Sequence, residues 1–198
     1  MEKVIALMSG GIDSFLMSVI LKDAYDIIPL YINYEHLAYQ YEIIALKKQL
    51  NFIDLPKPIE IRIAGLSSII QNSLTNEGEL INDFYPGRNL LFLVVAAQIA
   101  KGKNINRIAI GIIKSVRVFP DANHEFLINT EEIISETTDN NVIIHAPILD
   151  FSKLDVLSMF ANYKLPFELT YSCQKKGPNP CGICPSCIDI KNVEKELK

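Results

Sequence analysis

No apolar run in the sequence approaches the roughly 18 residues needed to cross a bilayer. The richest stretches, Val4 to Met8, Asp26 to Ile32 and Asn89 to Ala100, are short or interrupted by polar residues. No membrane association is expected. The first eleven residues have neither the long apolar segment nor the small-residue cleavage site of a secretion leader, and they read as the start of a buried strand, so the expected location is the cytoplasm. Positive charge is not in surplus either. With 19 Lys and Arg against 23 Asp and Glu, the net charge is −4, which argues against broad attraction to nucleic acid and favours a small-molecule substrate. There is no internal repeat and no low-complexity tract. What is present is 198 residues, 49% of them apolar and 21% charged, enough to bury one sizeable core.

Cysteine is absent from the first 172 residues. All four, Cys173, Cys181, Cys184 and Cys187, fall in one short window, and in a reducing compartment such clustering argues for metal rather than disulfides. Four thiolates at C-x7-C-x2-C-x2-C spacing suit one tetrahedral Zn²⁺ with no open position. An iron–sulfur cluster is the chemical alternative, although nothing nearby suggests redox work. From about Pro166 the composition changes, with Pro166, Pro178, Pro180 and Pro185 among the cysteines. Residues 166–198 therefore read as a small metal-stapled module packed on a domain of residues 1–165, too short to fold without its staple.

Upstream, short apolar runs alternate with amphipathic segments. This is the pattern of an α/β protein with a mostly parallel sheet and helices on both faces. The pattern predicts strands at 4–8, 27–32, 59–63, 108–113 and 142–144, and helices at 13–22, 38–50, 89–101, 126–136 and 153–161. Ser152 followed by Asp155 predicts a capping box at the start of the last of these helices. Residues 64–89 are rich in Gly, Asn, Asp and Pro and read as a long loop lying over something.

Ser9-Gly10-Gly11-Ile12-Asp13-Ser14 lies between the first strand and the first helix, where open α/β sheets bind ligands. Two glycines let backbone approach a phosphate, the Ser9 and Ser14 hydroxyls can donate to it, and the helix start offers free N–H groups. Neither the lysine of GxxxxGKS nor the third glycine of GxGxxG is present. The motif resembles the pyrophosphate-binding loop of the ATP pyrophosphatase (PP-loop) superfamily. That resemblance implies an adenine nucleotide α-hydrolase-like fold and cleavage of ATP between its α and β phosphates. A carboxyl or carbonyl oxygen would be activated as an adenylate and attacked by nitrogen or sulfur. By the same resemblance Leu7, Met8, Ser9, Gly10, Gly11, Ile12, Asp13, Ser14 and Asn33 would contact ATP, with Asp13 beside the phosphates and their Mg²⁺.

Further segments narrow the resemblance: Pro147 to Lys153, Pro166 to Cys173, Pro180 to Cys187, Tyr85-Pro86-Gly87-Arg88-Asn89, and Pro120-Asp121. Together they resemble the 7-cyano-7-deazaguanine synthases of queuosine biosynthesis along nearly the whole chain. The resemblance implies adenylation of 7-carboxy-7-deazaguanine, conversion by ammonia to the amide, a second adenylation and dehydration to the nitrile. Homodimerisation is implied as well. Ser9, Asp13, Ser14 and Arg88 become the candidate catalytic residues. Arg88, Asn89, Phe119 and Asp121 become the candidate substrate contacts. Arg88 offers a planar fork to a phosphate or carboxylate, Asp121 an acceptor for a guanine-like edge, and Phe119 a stacking face. Asn89 reads equally as a helix cap or a ligand contact.

Two segments depart from the family pattern. Asn33-Tyr34-Glu35-His36 stands where the family usually has an aspartate followed by a Tyr-Gly-Gln-Arg-His-like stretch, and Lys114 to Asn123 keeps only Pro120 and Asp121 of the family's deazaguanine-binding segment. His36 reads as a surface or packing residue before it reads as a base. The departures point to a divergent member. Such a relative can stop at the amide or pass the acyl group to an amine on another molecule, a protein included, and the resemblance extends to family members associated with antiphage defence gene clusters. A regulatory protein that binds nucleotide without turnover is the alternative from a different class, and nucleotide thiolation ranks below both because no cysteine lies outside the cluster.

Overall fold

Val4, Ala6 and Met8 face one side of the first strand and Ile5 and Leu7 the other, and all five are buried. A strand that is apolar on both faces needs cover on both. The computed structural model describes residues 1–70, 72–77, 83–113 and 119–196, the side chains of 193–196 apart. Its strands are β1 (Glu2–Leu7), β2 (Tyr25–Asn33), β3 (Ile59–Arg62), β4 (Arg107–Ile110) and β5 (Ile143–His145). They form one sheet in the order β3-β2-β1-β4-β5 with every neighbouring pair parallel. The helices are α1 (Ile12–Leu21), α2 (Tyr39–Phe52), α3 (Leu66–Ile69), α4 (Arg88–Gly102), α5 (His124–Thr138), α6 (Lys153–Asn162) and α7 (Pro185–Glu196). Apolar residues of α1, α2 and α6 cover one face of β1, and those of α4 and α5 cover the other.

The five strands and five long helices expected from periodicity are all present, with ends shifted by a few residues. Two shifts have clear causes. β4 stops at Ile110 because Gly111 turns against α1, where a Cβ would lie 2.9 Å from the Ser14 Cα. α5 starts early because the Asn123 side chain accepts the Phe126 N–H at 2.8 Å, a cap that satisfies a free donor of the first turn. The capping box at Ser152 and Asp155 forms as expected.

Periodicity did not suggest α3, α7 or the 3-10 turn Phe167–Leu169, all of them short or lying within the Pro- and Cys-rich tail. In the long loop, Leu74 and Tyr85 pack with Tyr34, so its described part lies on the end of β2. Gly78 and Asn82 of that loop, and Lys114 to Val118 of the divergent segment, lie outside the described residues.

Gly10 has a φ of +82°, and a Cβ there would sit 2.3 Å from the Glu42 carbonyl oxygen of α2. Left-handed strain and a backbone clash combine at this position. Gly10→Ala is expected to cost on the order of 3 kcal/mol. Chemical denaturation checks it, and a midpoint equal to wild type would count against the close approach.

Candidate functional site

The chain moves outward from β1 to β3 and then returns to β4 on the other side of β1. That reversal opens a crevice beyond the carboxyl ends of the two central strands. Ser9, Gly10 and Gly11 span the crevice and lead into α1. The Ser14 hydroxyl donates to the Gly11 carbonyl at 3.2 Å and accepts the Ser9 N–H at 3.2 Å, with the Ser9 hydroxyl 3.3 Å away. Outside contacts pin the turn. The Gly10 carbonyl accepts from Gln49 Nε2 at 2.7 Å and from the Tyr171 N–H at 2.9 Å. Ile12 N–H donates to the Ser172 hydroxyl at 3.3 Å. The segment just before the cysteines therefore forms part of the loop's wall.

A cavity of about 290 Å³ opens over the loop, lined among others by Ser9, Asp13, Ser14, Arg88, Lys153 and Ser172. A second, of about 200 Å³, continues beneath the strand ends, where Leu7, Met8, Ile32, Phe92 and Ile110 make an apolar wall. Ser9, Ser14, Tyr34, Glu42, Arg88 and Asn89 line both. One chamber is polar and charged at its walls, the other largely apolar, and they meet at the hydroxyl-bearing loop. A ligand with an aromatic ring joined to a phosphate chain matches that division.

Lys153 Nζ bonds both Asp13 carboxylate oxygens, at 2.7 and 2.9 Å. The capping box places Lys153 in the first turn of α6, across the crevice from α1. This cation was not singled out from the sequence; only its position directly after the capping Ser152 marks it. Arg88 lies at the start of α4 and bonds the Tyr34 hydroxyl. Burial works against its charge, yet Tyr34, Asp121 and Glu42 together hold the guanidinium protonated. Burial pushes the Tyr34 phenol up to about 12, with Arg88 pulling against it, so at neutral pH Tyr34 is a neutral hydroxyl.

Among the other anticipated residues, Phe119 lines the larger cavity and stacks on Phe84 with ring centres 5.9 Å apart. Asn89 also lines the cavity and is not the helix cap, which is Gly87; its side-chain amide donates to the Asp121 carbonyl at 2.8 Å. Asp121 does not line either cavity, and its carboxylate accepts the Asn89 N–H at 3.2 Å. A carboxylate at a helix N-terminus is favourable in its own right. Asn33 likewise lines neither cavity, because its side chain closes the turn after β2 by accepting the Glu35 N–H at 2.8 Å. His36 is not on the surface. It is 2% exposed, lines the larger cavity, stacks on Tyr34 and bonds Glu42. Glu42 carried no local signal, and Tyr34 and Ser172 lay in segments compared with the family pattern without a role of their own, since each gains its place only when separate segments meet.

The four cysteine sulfurs lie within 4.8 Å of one another. Tetrahedral coordination at about 2.3 Å puts sulfurs about 3.8 Å apart, so little movement closes the set on an ion. Cys173 Sγ accepts N–H groups from Cys181 at 3.3 Å and Lys175 at 3.4 Å, and Cys181 Sγ accepts from Cys184 at 3.3 Å. A hydrogen bond from the Cys184 thiol, helped by these backbone donors, draws the Cys173 thiol down to about 4. Converging N–H groups favour thiolate, the form that binds metal, at Cys173, while the bond to Cys173 and burial push Cys184 up and burial pushes Cys187 up. The site fits a closed, structural ion.

Among the described residues, no helix is long and apolar enough to cross a membrane. The family model described as "Queuosine biosynthesis protein QueC" matches residues 3–195. Among curated proteins, the 7-cyano-7-deazaguanine synthase of Campylobacter curvus is 28% identical over 98% of this chain and 94% of its own length. That of Aliarcobacter butzleri is 30% identical over 94% of this chain and 88% of its own. Solved structures share the fold at low identity. A predicted subunit of tRNA methyltransferase from Methanocaldococcus jannaschii superposes with a TM-score of 0.56 at 18% identity, over 81% of this chain and 75% of that one. The U34-tRNA thiolase NcsA of Methanococcus maripaludis, with its [4Fe-4S] cluster, gives 0.54 at 14% identity, over 98% and 67%.

Proposed function

Since this chain belongs to the QueC family of queuosine biosynthesis proteins, we propose that it is an ATP-dependent synthase converting 7-carboxy-7-deazaguanine and ammonia to 7-cyano-7-deazaguanine. The observation that carries this reading is the Asp13–Lys153 pair on the wall of the larger cavity, beside Ser9 and Ser14 of the loop, which line both cavities. Carboxylate, cation, hydroxyls and helix N–H groups meet where a triphosphate chain would lie.

In the proposed reaction the apolar chamber takes the adenine, and Ser9, Ser14 and the start of α1 bind the pyrophosphate. Asp13 would hold Mg²⁺ with the phosphates, and Lys153 would take up charge on the leaving pyrophosphate. The substrate carboxylate, held by Arg88 with Asn89 nearby, attacks the α-phosphorus as the bond to pyrophosphate breaks. Ammonia then displaces AMP to leave the amide. A second adenylation, on the amide oxygen, allows loss of AMP and a proton to form the nitrile. Positioning and fixed charge supply the catalysis without a covalent enzyme intermediate.

Phe119 would stack on the deazaguanine. Asp121 would act on the substrate edge only after turning from the α4 N-terminus. We assign a zinc ion to the four cysteines, where it supplies structure to residues 166–198, and we place the protein in the cytoplasm, whose reducing poise keeps clustered thiols free for metal.

The test is mass spectrometry of products formed from ATP, Mg²⁺, 7-carboxy-7-deazaguanine and an ammonium salt. Nitrile with AMP and pyrophosphate is expected. Amide or adenylate alone would mean a diverged ligase with another acceptor, and no acid-dependent AMP or pyrophosphate would overturn the reading.

A further inference from the structure

Gln49 lies in α2 with none of its surface exposed. Its Nε2 donates to two carbonyls at once, that of Gly10 in the phosphate loop at 2.7 Å and that of Leu169 in the 3-10 turn at 3.1 Å. Both partners only accept, which fixes the amide with its nitrogen toward them. The Oε1 on the other side is buried and has no hydrogen-bond partner among the described residues. A buried acceptor without a partner is costly, and an apolar side chain in the same space would escape that cost. What the amide contributes is therefore its two N–H groups.

The Gly10 carbonyl belongs to the peptide that joins the loop's two glycines. The bond is trans, so its C=O and N–H point in opposite directions. With Gln49 and the Tyr171 N–H on the oxygen, the Gly11 N–H is turned toward the Ser9 hydroxyl, 3.3 Å away. Ser9 and Gly11 both line the larger cavity. Such an orientation does not enforce itself. Glycine on both sides of a peptide removes the Cβ atoms that resist its rotation, and a half-turn would put the carbonyl oxygen where the N–H now stands.

We infer that Gln49 is a positioning residue of the phosphate loop, one that holds the Gly10–Gly11 peptide with its N–H toward the place of the nucleotide phosphates and its carbonyl away from them. An N–H aimed at an anion attracts it and a carbonyl oxygen in the same place repels it, so the direction of this one peptide decides whether the loop accepts a phosphate. The glycines that let the backbone come close also leave it free to turn, and the amide of α2 removes that freedom. Through Leu169 the same side chain ties the loop to the turn that leads into Tyr171 and Ser172. The inference rests on the synthase reading above for the identity of the anion and adds to it the residue that orients the loop's donor.

Gln49→Met keeps the volume and removes both donors. Titration calorimetry should show a selective loss: ATP binds about tenfold or more weakly, the worth of a hydrogen bond to a charged group, while adenosine, which lacks the phosphates, stays within about twofold of wild type. A general loosening of the fold would weaken both and leave their ratio unchanged. A second readout addresses the peptide itself. Gly10 and Gly11 are the only adjacent pair among the nine glycines, so protein made with glycine labelled by ¹³C at its carbonyl and by ¹⁵N gives one magnetic-resonance correlation between a labelled carbonyl and a labelled amide. In the wild type ATP should move the amide proton of that signal downfield, and in Gln49→Met the carbonyl should move upfield as it loses its donor. Equal losses for the two ligands, no loss for ATP, or a wild-type amide proton that ATP leaves in place would overturn the inference. If Gln49→Met does not fold, the wild-type signal decides alone. A wild-type protein that does not bind ATP would instead bring down the synthase reading, and this inference with it.

Discussion

Asp13→Ala is expected to reduce AMP and pyrophosphate release to background while leaving the cysteine cluster fully metallated. The side chain lies in the first turn of α1, half-buried at the cavity wall, with both oxygens on Lys153. Removing it takes away the proposed Mg²⁺ ligand and also frees Lys153 to settle on the phosphates in the wrong place. One missing group that stabilises developing charge typically costs 10²–10³-fold, and here two are disturbed, so a fall of about 10³-fold or more is expected. Asp13→Asn, which keeps shape but not charge, should fall nearly as far. An Asp13→Ala protein that still turns over at the wild-type rate would remove Asp13 from the mechanism. The metal content makes the result specific, because Asp13 is not a cluster ligand and a general folding failure would strip both.

The second large effect belongs to Cys184→Ser. Cys184 is fully buried within the sulfur set, so losing its thiolate opens the coordination shell from inside. Metal analysis should show a fall from about one ion per chain to a small fraction, as a four-thiolate site becomes a three-thiolate one. The loss should spread to the nucleotide loop. Tyr171 and Ser172, which bond Gly10 and Ile12, directly precede Cys173, so untethering the cluster loosens the anion site. The expected signature is lower thermal stability, faster amide exchange after residue 166, and a raised KM for ATP. Full metal content in the variant would show that the four sulfurs do not form one site, and iron in place of zinc in the wild type would correct the assignment of the ion.

Phosphate loop, sulfur cluster and strand order differ in how far apart their residues lie. Ser9 to Ser14 is contiguous, so its two glycines and two serines are legible with no knowledge of the rest of the chain. The cysteines fall within a short window and carry a spacing that only a few metal geometries satisfy. The strands show as short apolar runs set between amphipathic segments. Ser152 and Asp155, three residues apart, announce a helix start that then forms. All of these depend on interactions within a turn or two of helix or strand.

Three expectations needed more than that. Asp121 reads as a free acceptor in a loop, yet the N-terminus of α4 faces it and claims its carboxylate. Asn33 ends β2 with an amide that looks available, but the tight turn that follows uses it. His36 reads as an isolated histidine because Glu42 lies almost two helical turns further on, across a bend, and only the placement of α2 against β2 brings the two into contact.

By itself the sequence determined the alternation of strands and helices, the anion-binding turn and the four-thiol set, because each is written in neighbouring residues and governed by local backbone geometry and spacing. Only the tertiary structure decided which charges face one another. Lys153 reaches Asp13 across 140 residues and Ser172 reaches Ile12 across 160. Such pairs form when a parallel sheet gathers its strand ends at one edge, and the packing of α1, α6 and the cysteine segment around that edge sets them with no repeating pattern for a sequence to carry.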